Sequence, residues 1–166
     1  MSQNTLQFLK TNSGKKGEGM PVFRNPQYYF KEGFCWTNVL NPQARLLKAK
    51  LKKRTVNDVG SMSLFSIINS LPNYYFVILI NSELLFDYYR IFINCSVNIQ
   101  INDIRQLPII IPTKEQLEIC NTLFQNAFEV KKNVSNKIIS DSNAEEKLLK
   151  IEQKIEEFVE KLYNFV

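Results

Sequence analysis

The sequence predicts an α+β fold: a mixed, twisted, β-rich body with short helices over residues 21–113, followed by a C-terminal antiparallel helical hairpin over 114–166. Three features predict it. Before residue 113 the chain is aromatic, basic and short in period; after it, apolar residues recur three and four apart; between the two, Pro108 and Pro112 bracket Ile109, Ile110 and Ile111. A proline-bounded run of three β-branched residues is too short for a helix and lacks the donors of a central strand, so it reads as a short buried or edge strand. Thr113 and Gln116 then stand at capping-box spacing, which starts a helix at about Lys114.

Residues 1–20 hold Asn12, Ser13, Gly14, Gly17 and Gly19 with Lys15 and Lys16, a loop composition that predicts a flexible lead-in. GKKGEG lacks the spacing and the Lys-Ser/Thr ending of a phosphate loop. From Pro21, Val22, Phe23, Tyr28, Tyr29, Phe30, Phe34 and Trp36 crowd around Gly33, which predicts paired short strands. Val56 to Ile68 alternates with Gly60 inside it, as in a strand broken by a bulge. The run Tyr74 to Ile80 is apolar throughout, and periodicity alone leaves it unassigned. Asn81 or Ser82 can cap the next element, and Leu84, Leu85, Tyr88, Tyr89 and Phe92 predict a helix over Glu83 to Ile93. Asn98 to Ile101 alternates and reads as a strand.

Beyond Thr113, Leu123, Ala127, Val130, Val134 and Ile138 line one face of a helix running to about Ile139. Ser142 and Glu145 offer a second capping box. Leu148, Ile151, Ile155, Phe158, Leu162 and Phe165 then form an a/d seam, which an intrachain hairpin satisfies.

Composition excludes several classes. With 166 residues and 45% hydrophobic content the chain can bury one respectable core. No stretch reaches the roughly 18 apolar residues of a membrane span, and Met1 is followed by Ser2, Gln3 and Asn4 instead of a secretory leader, so the expectation is a soluble, cytoplasmic protein. Cys35, Cys95 and Cys120 are odd in number and far apart, and the chain has no histidine, so neither a disulfide framework nor a metal site is expected; the cysteines read as small buried hydrophobes. The same absence removes the commonest general base and every Ser/Cys–His pair, and no catalytic residues are assigned.

Charge is unevenly placed. Residues 1–113 carry 13 basic and 6 acidic side chains, and 114–166 carry 8 and 10, so the body is net +7 and the end net −2. A basic body suggests a bound polyanion. The densest segment is Arg45 to Arg54, where Arg45, Lys48, Lys50, Lys52, Lys53 and Arg54 occur with no intervening acid. Lys48, Lys50 and Lys52 alternate with Ala49 and Leu51, so a strand would place them on one face. Such a row either protects an edge against aggregation or contacts phosphates, and the lack of compensating carboxylates favours phosphates.

Asn25-Pro26-Gln27-Tyr28 is close to the Asn/Asp-Pro-Pro-Tyr/Phe loop of adenine-amino methyltransferases, whose aromatic stacks on a flipped base. Gln27 replaces the second proline, no apolar strand precedes it, and no Gly-rich cofactor turn occurs in the chain. Asn41-Pro42-Gln43 repeats the tripeptide, which favours a turn in both places.

Several stretches together resemble the TaqI-like C-terminal specificity domain, the target-recognition domain of single-chain restriction-methyltransferase enzymes, related to type I specificity subunits. They are Asn25 to Thr37 with its aromatic, Gly33 and Trp36-Thr37; Ala44-Arg45; Val59-Gly60-Ser61-Met62-Ser63-Leu64-Phe65; Leu79 to Leu84; and Asn102 to Ile119, in that order over residues 20–166. Leu162-Tyr163 is similar to the family's helical ending, with Asn164 where a glycine is usual. The resemblance implies a domain that reads double-stranded DNA for an adenine-specific methyltransferase or restriction enzyme. S-adenosylmethionine and catalysis would belong to a partner domain or subunit, and this chain itself would carry no cofactor. On that footing Lys48, Lys50, Lys52 and Lys53 are candidate phosphate contacts. Arg24, Arg45, Arg54, Asn41 and Gln43 are candidate base readers, since an arginine pairs bidentately with guanine and an amide with adenine. Trp36 and Tyr28 are expected in the core, and Arg105 in a structural role beside Asp103. A protein-interaction module docking through the helices after Lys114, without DNA binding of its own, is the alternative.

Overall fold

In a computed structural model that describes residues 3–12, 25–57, 60–68 and 70–164, the aromatic half of the chain folds around one short central strand. β1 (Gly33–Thr37) lies between β2 (Lys50–Lys52) and β3 (Ser61–Leu64) and is antiparallel to both. The two-residue period of GFCWT buries Phe34 and Trp36 on one face and presents Gly33, Cys35 and Thr37 on the other. Because β2 and β3 both oppose β1 they run parallel to each other, and residues 53–57 are the described part of the strap that leaves β2. Asn57 ties this strap to the outer face, its amide donating to Ser63 Oγ at 2.5 Å.

The inner face rests on α2 (Asn73–Ile80), which is the run that periodicity left unassigned. A helix apolar on every side has to be covered on every side. Val77 and Ile80 join Phe34, Trp36, Leu40, Leu47 and Ile99 beneath the sheet. Tyr75, Ile78 and Leu79 join Cys120, Leu123, Ile155, Phe158, Val159 and Leu162 in a second core against the C-terminal helices.

α3 (Glu83–Tyr88) begins where the sequence predicts, with Ser82 Oγ accepting from Leu85 N at 3.2 Å. It continues through one wide π turn, Tyr89–Ile93, closed by Asn94 N donating to Tyr89 O at 2.9 Å. The predicted Asn98–Ile101 strand reduces to a single bridge between Val39 and Asn98. Ile101 already opens α4 (Ile101–Ile104), whose start is held by Gln100 N donating to Asp103 Oδ2 at 2.9 Å.

Ile109 to Ile111 form no strand, and Ile111 is 74% exposed. The prolines remove donors at both ends, so the segment makes no ladder and its carbonyls go to side chains instead. Tyr75 OH donates to Ile110 O at 2.8 Å, and Tyr163 OH donates to Pro108 O.

α5 (Lys114–Ser135) carries the predicted box, Gln116 N donating to Thr113 Oγ1 at 3.2 Å and Thr113 N to Gln116 Oε1 at 2.8 Å. It ends before the predicted Ile139, with Lys137 in the left-handed region at φ 58° and Ile138 exposed. α6 (Asp141–Leu162) starts at Ser140, not Ser142, with Ser140 Oγ accepting from Asn143 N at 3.3 Å. At 22 residues each, the two helices are about 33 Å long. Ile155, Phe158 and Leu162 of the seam are buried, Leu148 and Ile151 are half-buried, and Phe165 lies outside the described residues. Glu156 accepts from Glu83 N at 2.7 Å, joining α6 to the first turn of α3.

Two further expectations change. Residues 3–12 of the predicted lead-in form α1 (Gln3–Asn12); the glycines that suggested a loop come after it, outside the described residues. Cys35 and Cys120 are buried, but Cys95 is exposed in the turn after α3.

Burial holds the phenols of Tyr89 and Tyr163 up at about 12, from an ordinary value of 10, and raises Tyr75 as well. The fold therefore favours the neutral phenols, and that stability is fully present below pH 10 and lost as pH rises through 10 toward 12. The urea midpoint is expected to fall over this window, and less steeply in Tyr163→Phe. At neutral pH, Tyr75→Phe is expected to cost about 1 kcal/mol through its lost bond to Ile110.

Candidate nucleic-acid interface

The outer face of the sheet is shaped by one missing side chain. A Cβ on Gly33 would lie 2.4 Å from Leu64 O and 2.7 Å from Phe65 Cδ1, so only glycine lets the Phe65 ring cross there. Lys52 pairs with Gly33 across the ladder and runs beneath that ring, with Nζ 5.5 Å from its centroid. Lys52 is 6% exposed, and its ammonium donates to Lys31 O at 2.7 Å and Lys53 O at 3.4 Å. As a phosphate contact Lys52 is therefore a correction: the ladder does put it on the outer face, but the space Gly33 leaves lets Phe65 cover it. Tyr28 stacks on Phe65 at 5.2 Å, and Lys31 Nζ sits 5.3 Å over Tyr28.

Further along the face Lys50 lies opposite Cys35 and is exposed. Between sheet and strap runs a cleft of about 400 Å³, with Lys50, Lys53, Thr55, Asn57 and Ser61 around a floor that includes Cys35. Its described lining contains lysines and no carboxylate. Burial pushes the Cys35 thiol up, and the Lys50 and Lys52 charges oppose that shift.

Lys48 is exposed but lies outside β2, at φ 54° between the buried Leu47 and Ala49. The three-residue strand thus carries Lys50 and Lys52, and the predicted row of three lysines on one strand does not form. What fixes the entry to β2 is Asn81: Ala49 N donates to Asn81 Oδ1 at 2.7 Å, and Asn81 Nδ2 donates to Ala49 O at 2.8 Å. Sequence reasoning saw Asn81 only as a helix cap, and a clamp across 32 residues leaves no local signal.

Asn41, Gln43 and Arg45 are exposed on the connection between β1 and β2. Asn41 orders the turn, its Oδ1 accepting from Gln43 N at 3.0 Å and its carbonyl from Ala44 N at 2.9 Å. A smaller cleft of about 160 Å³ opens at Asn41, lined also by Phe86, Val97 and Arg90. Arg90 escaped the sequence reading because it stands on the helical side of the body; its Nη1 donates to Ser96 O at 2.8 Å.

Arg54 pairs with Glu32 at 3.4 Å, both side chains largely exposed, so it is a salt-screened pair and not a free cation. Arg24 lies outside the described residues. Pro26–Tyr28 forms a 3₁₀ turn closed by Tyr28 N donating to Asn25 O at 3.0 Å, as the turn reading of Asn25-Pro26-Gln27-Tyr28 requires. Trp36 is in the core at 1% exposure, whereas Tyr28, also expected there, remains 44% exposed. Asp103 is engaged by Asn94 Nδ2 and Gln100 N.

Among the described residues no cluster of acidic, cysteine or histidine side chains could hold a metal ion, and no helix is long and apolar enough to cross a membrane. No family model matches the sequence and no curated protein matches it.

Lys52→Ala removes a buried donor from two carbonyls and is expected to cost about 1–3 kcal/mol in thermal unfolding. Lys50→Ala, on the exposed side of the same strand, is expected to stay within about 0.5 kcal/mol of the parent.

Proposed function

We propose that this chain binds double-stranded DNA sequence-specifically, as the target-recognition part of an adenine-specific methyltransferase or restriction enzyme. The observation that carries the reading is the lysine-lined cleft along edge strand β2, free of carboxylates in its described lining, with Asn41, Gln43 and Arg45 exposed on the connection that leads into that strand. Edge strand β2 has three residues, so the sheet edge is roughly 10 Å long, the length of roughly three stacked base pairs. Lys48, Lys50 and Lys53 neutralise phosphates and set register, which binds all sequences alike. Arg45, Asn41 and Gln43 supply the planar donor and donor–acceptor groups that tell one base edge from another. The methyltransferase assignment rests on the resemblance of Asn25 to Thr37 and Asn102 to Ile119 to the specificity domains. S-adenosylmethionine and the catalytic residues then belong to a partner domain or subunit, and the cytoplasm is where such a protein meets its DNA.

A second reading has its own observation. Ile119 and Phe128 of α5 and Leu149 of α6 are 51%, 42% and 57% exposed, apolar side chains on the hairpin that a protein partner would cover. In that reading the lysines of β2 merely shield a sheet edge.

A salt titration of duplex binding separates the two. Three lysine contacts predict a log–log slope of about −3, and Lys50→Ala should weaken every duplex equally while reducing the slope by about 1. Arg45→Ala should cost about 1–3 kcal/mol on the cognate duplex and blur one base position. No duplex binding at low salt would leave the interaction module standing, and saturable S-adenosylmethionine binding by this chain alone would overturn the division of labour.

A further inference from the structure

The turn that precedes β1 carries an exposed aromatic in an unusual place. Phe30 is 58% exposed and sits at φ 59°, in the left-handed region that a bulky side chain rarely occupies. Glycine would adopt that conformation without strain, so an aromatic there sets exposure of its ring above ease of folding. The turn is also held from beneath. Lys52 Nζ grips Lys31 O at 2.7 Å, Lys31 N donates to Tyr28 O at 3.4 Å, and Tyr28 is stacked on Phe65. A ring on a pinned turn loses little freedom when it meets a ligand.

Two exposed lysines are tied to the same turn. Lys31 is next in sequence, and the Lys52 ammonium that holds the Lys31 carbonyl also holds that of Lys53, while Arg54 is paired with Glu32. Among the described residues, Glu32 is the acidic side chain of this corner. An exposed aromatic ring on a turn tied to exposed lysines matches a nucleic acid, whose bases offer π faces and whose flanking phosphates offer charge. A purely apolar protein partner would have no use for the lysines. The turn leads into β1 at its Gly33 end, whereas the Asn41–Arg45 loop follows its Thr37 end.

We propose, resting on the DNA-binding reading above, that Phe30 is a wedge that inserts at a base step of the bound duplex, with Lys53 on a flanking phosphate. Its partial unstacking of that step makes binding sensitive to sequence at a position no side chain hydrogen-bonds, because flexible pyrimidine–purine steps open more easily.

The test uses the full chain and a set of short duplexes, each carrying 2-aminopurine at a different position, at low salt. Unstacking raises the fluorescence of that base. The wild-type chain should raise it at one step. Phe30→Gly should abolish the rise and weaken binding roughly tenfold, the scale of losing one stacked aromatic, with the salt slope unchanged. Its thermal midpoint should be no lower than the parent's, since glycine relieves the left-handed backbone. Equal affinity and fluorescence in Phe30→Gly would overturn the wedge while leaving DNA binding intact. Weaker binding with no fluorescence change at any position in either protein would place the ring against the backbone and overturn it too. Absence of any salt-sensitive duplex binding by the wild-type chain would overturn the wedge and the DNA-binding reading together.

Discussion

Everything in this fold depends on α2 having no polar side to turn toward water. NYYFVILI must be covered by the sheet on one face and by the helical hairpin on another, so the two halves of the chain share one buried helix. Burying its apolar side chains is the dominant favourable term available to a protein of this size. It also explains why the compositional break near residue 113 does not make two separable bodies: the acidic hairpin completes the core that the basic half begins. The crossing point is compact. Asn81, at the end of α2, clamps β2 through Ala49, and Glu83, two residues on, is held by Glu156 of α6.

The proline segment between the halves solves a hydrogen-bonding problem in an unusual way. Its prolines cannot donate to a ladder, so the carbonyls of Pro108 and Ile110 are satisfied by two phenols, Tyr163 from just beyond α6 and Tyr75 from α2. One tyrosine from each partner surface thus grips the same short stretch. A comparable economy governs the outer face of the sheet. Gly33 leaves room, Phe65 fills it, and Lys52 places its stem under the ring and its charge on two carbonyls. A cation that sequence alone assigns to phosphate becomes the peg holding the Tyr28–Lys31 turn.

Local chemistry decided which features were legible in the sequence. The α+β class, the Thr113–Gln116 box, the Ser82 cap and the hairpin seam all depend on side chains three or four residues apart, and all are present. Ile109–Ile111 misled because β-branched residues between prolines look strand-like while strand formation needs a neighbour that the topology does not supply. Asn98–Ile101 misled because its alternation competes with the Gln100–Asp103 capping contact, which won. At the candidate interface, Lys50, Lys53, Asn41, Gln43 and Arg45 are exposed as a basic, loop-rich sequence suggests. The burial of Lys52 and the clamp by Asn81 were not legible, because each depends on a partner about twenty to thirty residues away and, for Lys52, on the side chain that Gly33 lacks. In the sequence Phe30 is one aromatic among many, since its backbone angle, which sets it apart, has no sequence signature outside glycine and asparagine.

The three cysteines give the molecule a chemical consequence of a different kind. A thiolate, not a thiol, attacks electrophiles and disulfides. Burial keeps the Cys120 thiol up at about 12 and raises Cys35, so at neutral pH both are protonated and sheltered. Cys95 stands alone on the surface, in the turn after α3. A maleimide or an oxidant therefore meets one thiol in the folded chain, and a fluorophore placed there reports from a single known point on the body, on the side of the molecule that carries Arg90 and Ser96.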